Sequence, residues 1–167
     1  MENFFKILLI GVGATLTMDL WAYVQKLFNI SSLDYRLVGR WISKFSEGKF
    51  FHENIAKATP EKYEVLIGWT AHYLIGIIFA VLLVIIMGIK WLEAPTLLPA
   101  LLIGIVTIIA PFFIMQPAFG FGFAASNLPD PNILRLRSLL THSVYGIGLF
   151  MSAYVINYIS TLIKGLL

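Results

Sequence analysis

Four long apolar segments decide what this chain can fold into. They cover residues 4–28, 65–89, 97–116 and 134–162 of 167. Crossing the hydrocarbon core of a bilayer takes about 20 apolar residues as a helix. Backbone groups there must be satisfied within the segment, so open strands are excluded. The prediction is an all-α membrane protein, a four-transmembrane-helix bundle forming one domain over 1–167, with a cytoplasmic connector at 29–64. Composition agrees, with 59% hydrophobic and 13% charged residues, against about half and a quarter in soluble domains. The chain has no cysteine, which excludes disulfides, thiolate metal sites and thiol catalysis. The first 28 residues are long enough to span, and no small-residue cleavage site follows, so they read as a span and not a cleaved leader.

Charge sets an expected orientation. With four spans, Lys6, Lys90 and Lys164 fall on the side of the termini. Lys26, Arg36, Arg40, Lys44, Lys49, Lys57, Lys62, Arg135 and Arg137 fall on the other, nine against three. Positive residues concentrate on the cytoplasmic side, so both termini are expected outside, with the two longer loops in the cytoplasm. The same rule accounts for the net charge of +3 without nucleic acid. Trp21, Trp69 and Trp91 near span ends read as interfacial anchors.

The connector is expected to contain an amphipathic helix capped by Ser32. Its apolar stripe would be Leu33, Leu37, Trp41 and Phe45, with Arg36, Arg40 and Lys44 on an adjoining face. Such a helix suits the lipid interface, with its cations toward headgroups; packing onto the mouth of the bundle is equally compatible. His52 reads as solvated surface. Thr59 and Pro60 read as the cap and first residue of the second helix, and Asp130 and Pro131 as those of the fourth. Pro111 should kink the third. The Gly- and Pro-rich run 116–131 is expected to pack into the mouth, partly re-entrant.

Ionisable groups inside such spans are costly and are functional candidates by default. Asp19, His72 and His142 are the three, and helical rise places them within about two turns of one depth. Gln116 lies at the same level, with Arg135 and Arg137 just outside. Small residues accompany them: Gly68, His72, Gly76 and Ala80 recur every four residues, as do Ser138, His142 and Gly146. That spacing lets helices approach closely and turns the histidines inward. Asp19, His72, His142, Gln116, Arg135 and Arg137 are therefore the substrate-binding or proton-relay candidates, one of the arginines pairing with Asp19 or holding an anion. The bland alternatives are interhelical hydrogen bonds and positive-inside anchoring. A shift of 70 residues superposes His72, Gly76 and Ile77 on His142, Gly146 and Ile147, and a shift of 97 superposes Met18-Asp19 on Met115-Gln116. Both are compatible with a duplicated helical hairpin.

The strings Gly68-Trp-Thr-Ala-His72-Tyr-Leu-Ile-Gly76, Gln116-Pro-Ala-Phe-Gly-Phe-Gly122 and Arg137-Ser-Leu-Leu-Thr-His142-Ser-Val-Tyr-Gly146, with Thr17-Met-Asp19-Leu-Trp21 and Val38-Gly-Arg40-Trp41, resemble a family of small bacterial membrane proteins known as a domain of unknown function. The resemblance covers nearly the whole chain. It implies a four-span inner-membrane protein and carries no activity, ligand or catalytic residue.

Function is therefore read from the polar layer. The leading expectation is a small transporter or permease-like protein, with proton coupling an option, working as a homodimer through small-residue faces. A b-type haem electron carrier is the second, with His72 and His142 as axial ligands and Gly76 and Gly146 making room for the porphyrin. A non-catalytic membrane subunit is the third. No catalytic residue and no metal set is expected: the sequence has no His-Glu-x-x-His and no Gly-x-Ser-x-Gly.

Overall fold

The structure is a computed structural model describing residues 2–166, the side chains of Ile163, Lys164 and Leu166 excepted. Lys164, counted above on the terminal side, thus lies outside the described side chains. Every regular element among the described residues is helical. Four helices are long and apolar enough to cross a membrane: Glu2–Leu27, Glu64–Met87, Leu97–Ala118 and Pro131–Leu162. We label the elements α1 (Glu2–Leu27), α2 (Tyr35–Ser43), α3 (Glu64–Met87), α4 (Lys90–Glu93), α5 (Leu97–Val106), α6 (Gln116–Ala118) and α7 (Pro131–Leu166). α1 packs between α3 and α7, α5 lies against α7, and a lighter α3–α5 contact closes the bundle.

Close backbone approach holds these helices together. A Cβ on Gly11 would stand 2.6 Å from Ile77 Cα, and one on Gly76 would meet Thr15 Oγ1 at 2.1 Å. On the other side, a Cβ on Gly104 would lie 2.6 Å from the His142 carbonyl and 2.7 Å from Gly146 Cα. Water does not drive helices together in lipid, so dispersion contacts of this kind carry the association. The opposite faces present Leu9, Leu16, Leu20, Ile78, Ile85, Leu102 and Tyr158, all exposed, as a lipid-facing surface requires. The faces at Gly11, Gly76, Gly104 and Gly146 are thus used inside one chain.

Both hairpins share this packing, at registers one turn apart. Gly11 and Gly104 play like parts at a separation of 93 residues, not the 97 that superposes Asp19 on Gln116. Between them the third span is irregular: α5 ends at Val106, and Pro111–Met115 form a π-helical turn before α6. The α-helical pattern lapses at 107–108 and again in the π-helical turn that Pro111 opens, and the helix runs on to Ala118. The connection from α3 to α5 turns at Gly88 (φ 79°) and folds α4 inward. Trp91 there is 4% exposed and its indole N–H donates to the Thr96 carbonyl at 3.3 Å. It belongs to the core and is not an interfacial anchor.

The connector packs on protein. α2 begins after Asp34, whose carboxylate accepts from the Arg36 N–H at 3.0 Å; Asp34, not Ser32, is the cap. A Cβ on Gly39 would fall 1.8 Å from the Glu64 carbonyl, and one on Gly68 1.9 Å from that of Tyr35, so α2 crosses α3 backbone to backbone. Arg40 does not reach headgroups. Its Nε and Nη2 donate to the two Glu64 oxygens at 2.7 and 3.0 Å, and its Nη1 to the carbonyls of Ile55, Ala56 and Ala58 at 3.0–3.2 Å. Both side chains are buried, and the bond to Glu64 raises the Arg40 pKa. Glu64 also accepts the Glu61 N–H at 3.0 Å. This cluster starts the second helix at Glu64, four residues after the predicted Pro60; Thr59 caps nothing. Lys44 completes the anchor with ion pairs to Glu47 and Glu61.

The segment after α6 does pack inward: Phe119 is fully buried and Ala125 is 1% exposed. It also pairs with the connector, His52 N–H to the Ala118 carbonyl at 2.9 Å and Ile55 N–H to that of Phe119 at 3.0 Å. His52 is therefore not solvated surface; its Nε2 is buried without a partner. Gly120 takes a left-handed φ of 82° because a Cβ there would meet the Glu53 carbonyl at 2.0 Å. α7 starts at Pro131 as predicted, with Asp130 left-handed (φ 51°).

Candidate functional site

The bundle brings Asp19 of α1 to His72 of α3, with Oδ1 and Nε2 2.9 Å apart. The second carboxylate oxygen accepts the Tyr73 hydroxyl at 2.8 Å. The hydrogen of this bond lies between Asp19 Oδ1 and His72 Nε2, and Nε2 is the donor whenever the carboxylate is ionised. Successive residues of one helix thus close on the two oxygens of one aspartate. Above them Tyr35 of α2 stacks on the His72 ring at a centroid distance of 4.0 Å, and Trp69 stands edge-on to it at 5.8 Å. Burial pushes the Tyr35 phenol well above its ordinary range.

His142 of α7 makes a different bond. Its Nδ1 lies 2.6 Å from Thr107 Oγ1, which is itself 2.5 Å from the Gly104 carbonyl. The carbonyl can only accept, so the single hydroxyl hydrogen of Thr107 goes to Gly104. His142 then donates from Nδ1 to the hydroxyl oxygen.

Both histidines line one small cleft of about 70 Å³, with Thr15, Ile75, Gly76, Thr107 and Tyr145. One water needs about 10–15 Å³ of such space, so there is room for a few. Tyr145 joins the two histidine-bearing helices by donating to the Gly76 carbonyl at 2.6 Å. A larger cavity of about 390 Å³ lies at the loop end, between α1, the connector, the 111–128 segment and α7. Met18 and His142 line both cavities.

The predicted residues therefore divide. Asp19 and His72 touch, and His72 and His142 share the small cleft. Gln116 and Arg137 line the larger cavity. Arg135 lines neither: its guanidinium donates to the Ala124 carbonyl and to Asn132 Oδ1, both at 2.9 Å. Neither arginine pairs with Asp19, whose oxygens His72 and Tyr73 occupy. The haem arrangement lacks its space, because Thr15 and Gly11 fill the notch at Gly76, and Ala100 and Leu101 that at Gly146. His72 Nε2 is already engaged by Asp19. No group of three or more His, Asp or Glu side chains that could hold a metal exists among the described residues.

Sequence reasoning missed Tyr73, Tyr35, Thr107 and Tyr145. Thr107 was legible as a hydroxyl within an apolar span at the level of His142. Tyr73 and Tyr145 sit in motifs already noticed, but a tyrosine among apolar residues reads as packing. Tyr35 gave no signal, since only the fold of the connector brings it over His72.

A family profile described as "Protein of unknown function (DUF2938)" matches residues 8–156. The chain belongs to that family. The match takes in every histidine, aspartate and arginine of the site. No curated protein and no solved structure matches the chain.

Proposed function

We propose that the protein is a small proton-coupled carrier of the bacterial inner membrane, with its loop end in the cytoplasm and both termini outside. One observation carries the reading: a cavity at the loop end and a smaller cleft further along the bundle share Met18 and His142 in their linings, and the smaller one is lined by a histidine bound to a carboxylate within the spans. A solute site beside a protonatable pair is what coupling needs. Carboxylate–histidine chains within spans are a recurrent form of proton relay. Tyr73 and Tyr35 hold the pair from two sides, so proton movement at Asp19–His72 would be felt in the connector. The nine-to-three distribution of basic residues supports the orientation.

The test is proton movement in proteoliposomes containing a pH-sensitive dye, with wild type compared with Asp19→Asn and His72→Ala. We expect solute-dependent acidification in wild type and loss of at least about tenfold in each variant. Variants that fold and keep the wild-type rate would overturn the proposal.

A further inference from the structure

The loop-end cavity carries a chemical preference of its own. Its wall holds two arginine-or-acid groups, Arg137 and Asp34. Asp34 is neutralised by Arg36, which donates to both its oxygens at 2.7–3.0 Å. Arg137, partly buried, has no hydrogen-bond or ion-pair partner among the described residues. On the same wall the Oε1 of Gln116 is buried without a partner. The rest is largely apolar, from Met18, Met115, Phe119 and Leu134. A volume of about 390 Å³ lies within the usual range for small organic ligands.

We infer that this cavity binds an amphiphilic anion, an apolar body bearing one carboxylate. The uncommitted guanidinium is the one net charge on the wall. A planar fork of donors matches a carboxylate bidentately. Its pairing in an apolar surround gives more than it would in water, because a lone arginine at such a wall is poorly solvated. Gln116 offers a second polar contact, and its amide can present either atom. The methionines adapt to the shape of the body. The inference deepens the carrier reading by naming its solute class and rests on it for transport alone; binding needs no gradient.

Such an acid could come from the membrane or from water, so calorimetry on the full-length protein in nonionic detergent uses decanoate, 4-phenylbutyrate and the neutral 4-phenylbutyramide. We expect both carboxylates to bind, and the amide about ten- to hundredfold more weakly, the range of a charged hydrogen bond. Arg137→Gln should bring the carboxylates down to the level of the amide, and Arg137→Lys should retain part of the difference. Tighter decanoate supports a membrane-derived acid, and tighter phenylbutyrate a soluble one. Equal binding of acid and amide, or an Arg137→Gln protein that keeps wild-type affinity, overturns the site. If Arg137→Gln does not fold, Met115→Trp decides by filling the cavity: carboxylate binding that survives it overturns the site as well. Carboxylate binding that depends on Arg137, with no proton movement in proteoliposomes, leaves the site standing and removes the carrier.

Discussion

The two halves of the bundle carry the same short motif, a histidine followed four residues later by glycine, and use it differently. In the half made by α1 and α3, His72 faces a carboxylate and is roofed by Tyr35 from the connector. In the half made by α5 and α7, His142 faces a threonine hydroxyl and lines two cavities. The glycines act alike in both, each admitting a neighbouring helix. One pattern of packing thus supports a carboxylate–histidine pair on one side and a hydroxyl-bound ring on the other. The motif specifies a helix contact; its neighbour specifies the chemistry.

The sharpest break of this comparison is at the roof. Arg40→Ala leaves Glu64 buried without its partner and three carbonyls without their donor, which should cost about 3–5 kcal/mol. Thermal unfolding in detergent measures this, and tyrosine or histidine NMR signals should show Tyr35 leaving His72 while His142 stays unmoved. A variant as stable as wild type would mean that the connector does not anchor the first half.

Next in size are the glycine contacts. Gly104→Val puts a side chain into the α7 backbone and Gly76→Val one into Thr15, and overpacking of this kind costs about 1–3 kcal/mol. Each should lower thermal stability. Only Gly104→Val should disturb the His142–Thr107 bond, read from the His142 ring signals. Equal disturbance of both histidines by either variant would show the halves to be one coupled unit.

The smallest effect expected is at Asp34. The Arg36 guanidinium holds its carboxyl below the usual range, so the cap contributes stability above the ordinary carboxylate pKa and loses it as pH falls through the depressed value. The group is well exposed, so the change is modest. Acidification across that window should loosen α2, seen as lower amide-exchange protection factors at Arg36 and Leu37. Unchanged protection would remove Asp34 from the account.

Much of this architecture is written in hydropathy. The four spans, the irregularity around Pro111, the start at Pro131 and the inward turn of both histidines follow from segment length, proline chemistry and small-residue spacing. The connector was harder for a physical reason: an amphipathic helix has the same pattern whether it covers lipid or protein, and nothing local to Arg40 reveals a partner 24 residues away. That same long-range pair moved the start of the second helix past Thr59 and Pro60. Partner choice within the polar layer was illegible for a like cause. Depth placed Asp19, His72, His142 and Gln116 at one level, but which groups touch depends on helix rotation. The irregular turn between α5 and α6 sets that rotation for the third span and leaves Thr107 rather than Gln116 against His142.

The central claim is that the two histidines are held by different partners, His72 through Nε2 by Asp19 and His142 through Nδ1 by Thr107. Histidine ¹⁵N spectra of wild type, Asp19→Asn and Thr107→Val test it directly. The account predicts two distinct rings, with Asp19→Asn moving the Nε2 signal of His72 and Thr107→Val the Nδ1 signal of His142, each leaving the other ring in place. Rings that are alike in wild type, or that both shift with one substitution and neither with the other, would contradict it.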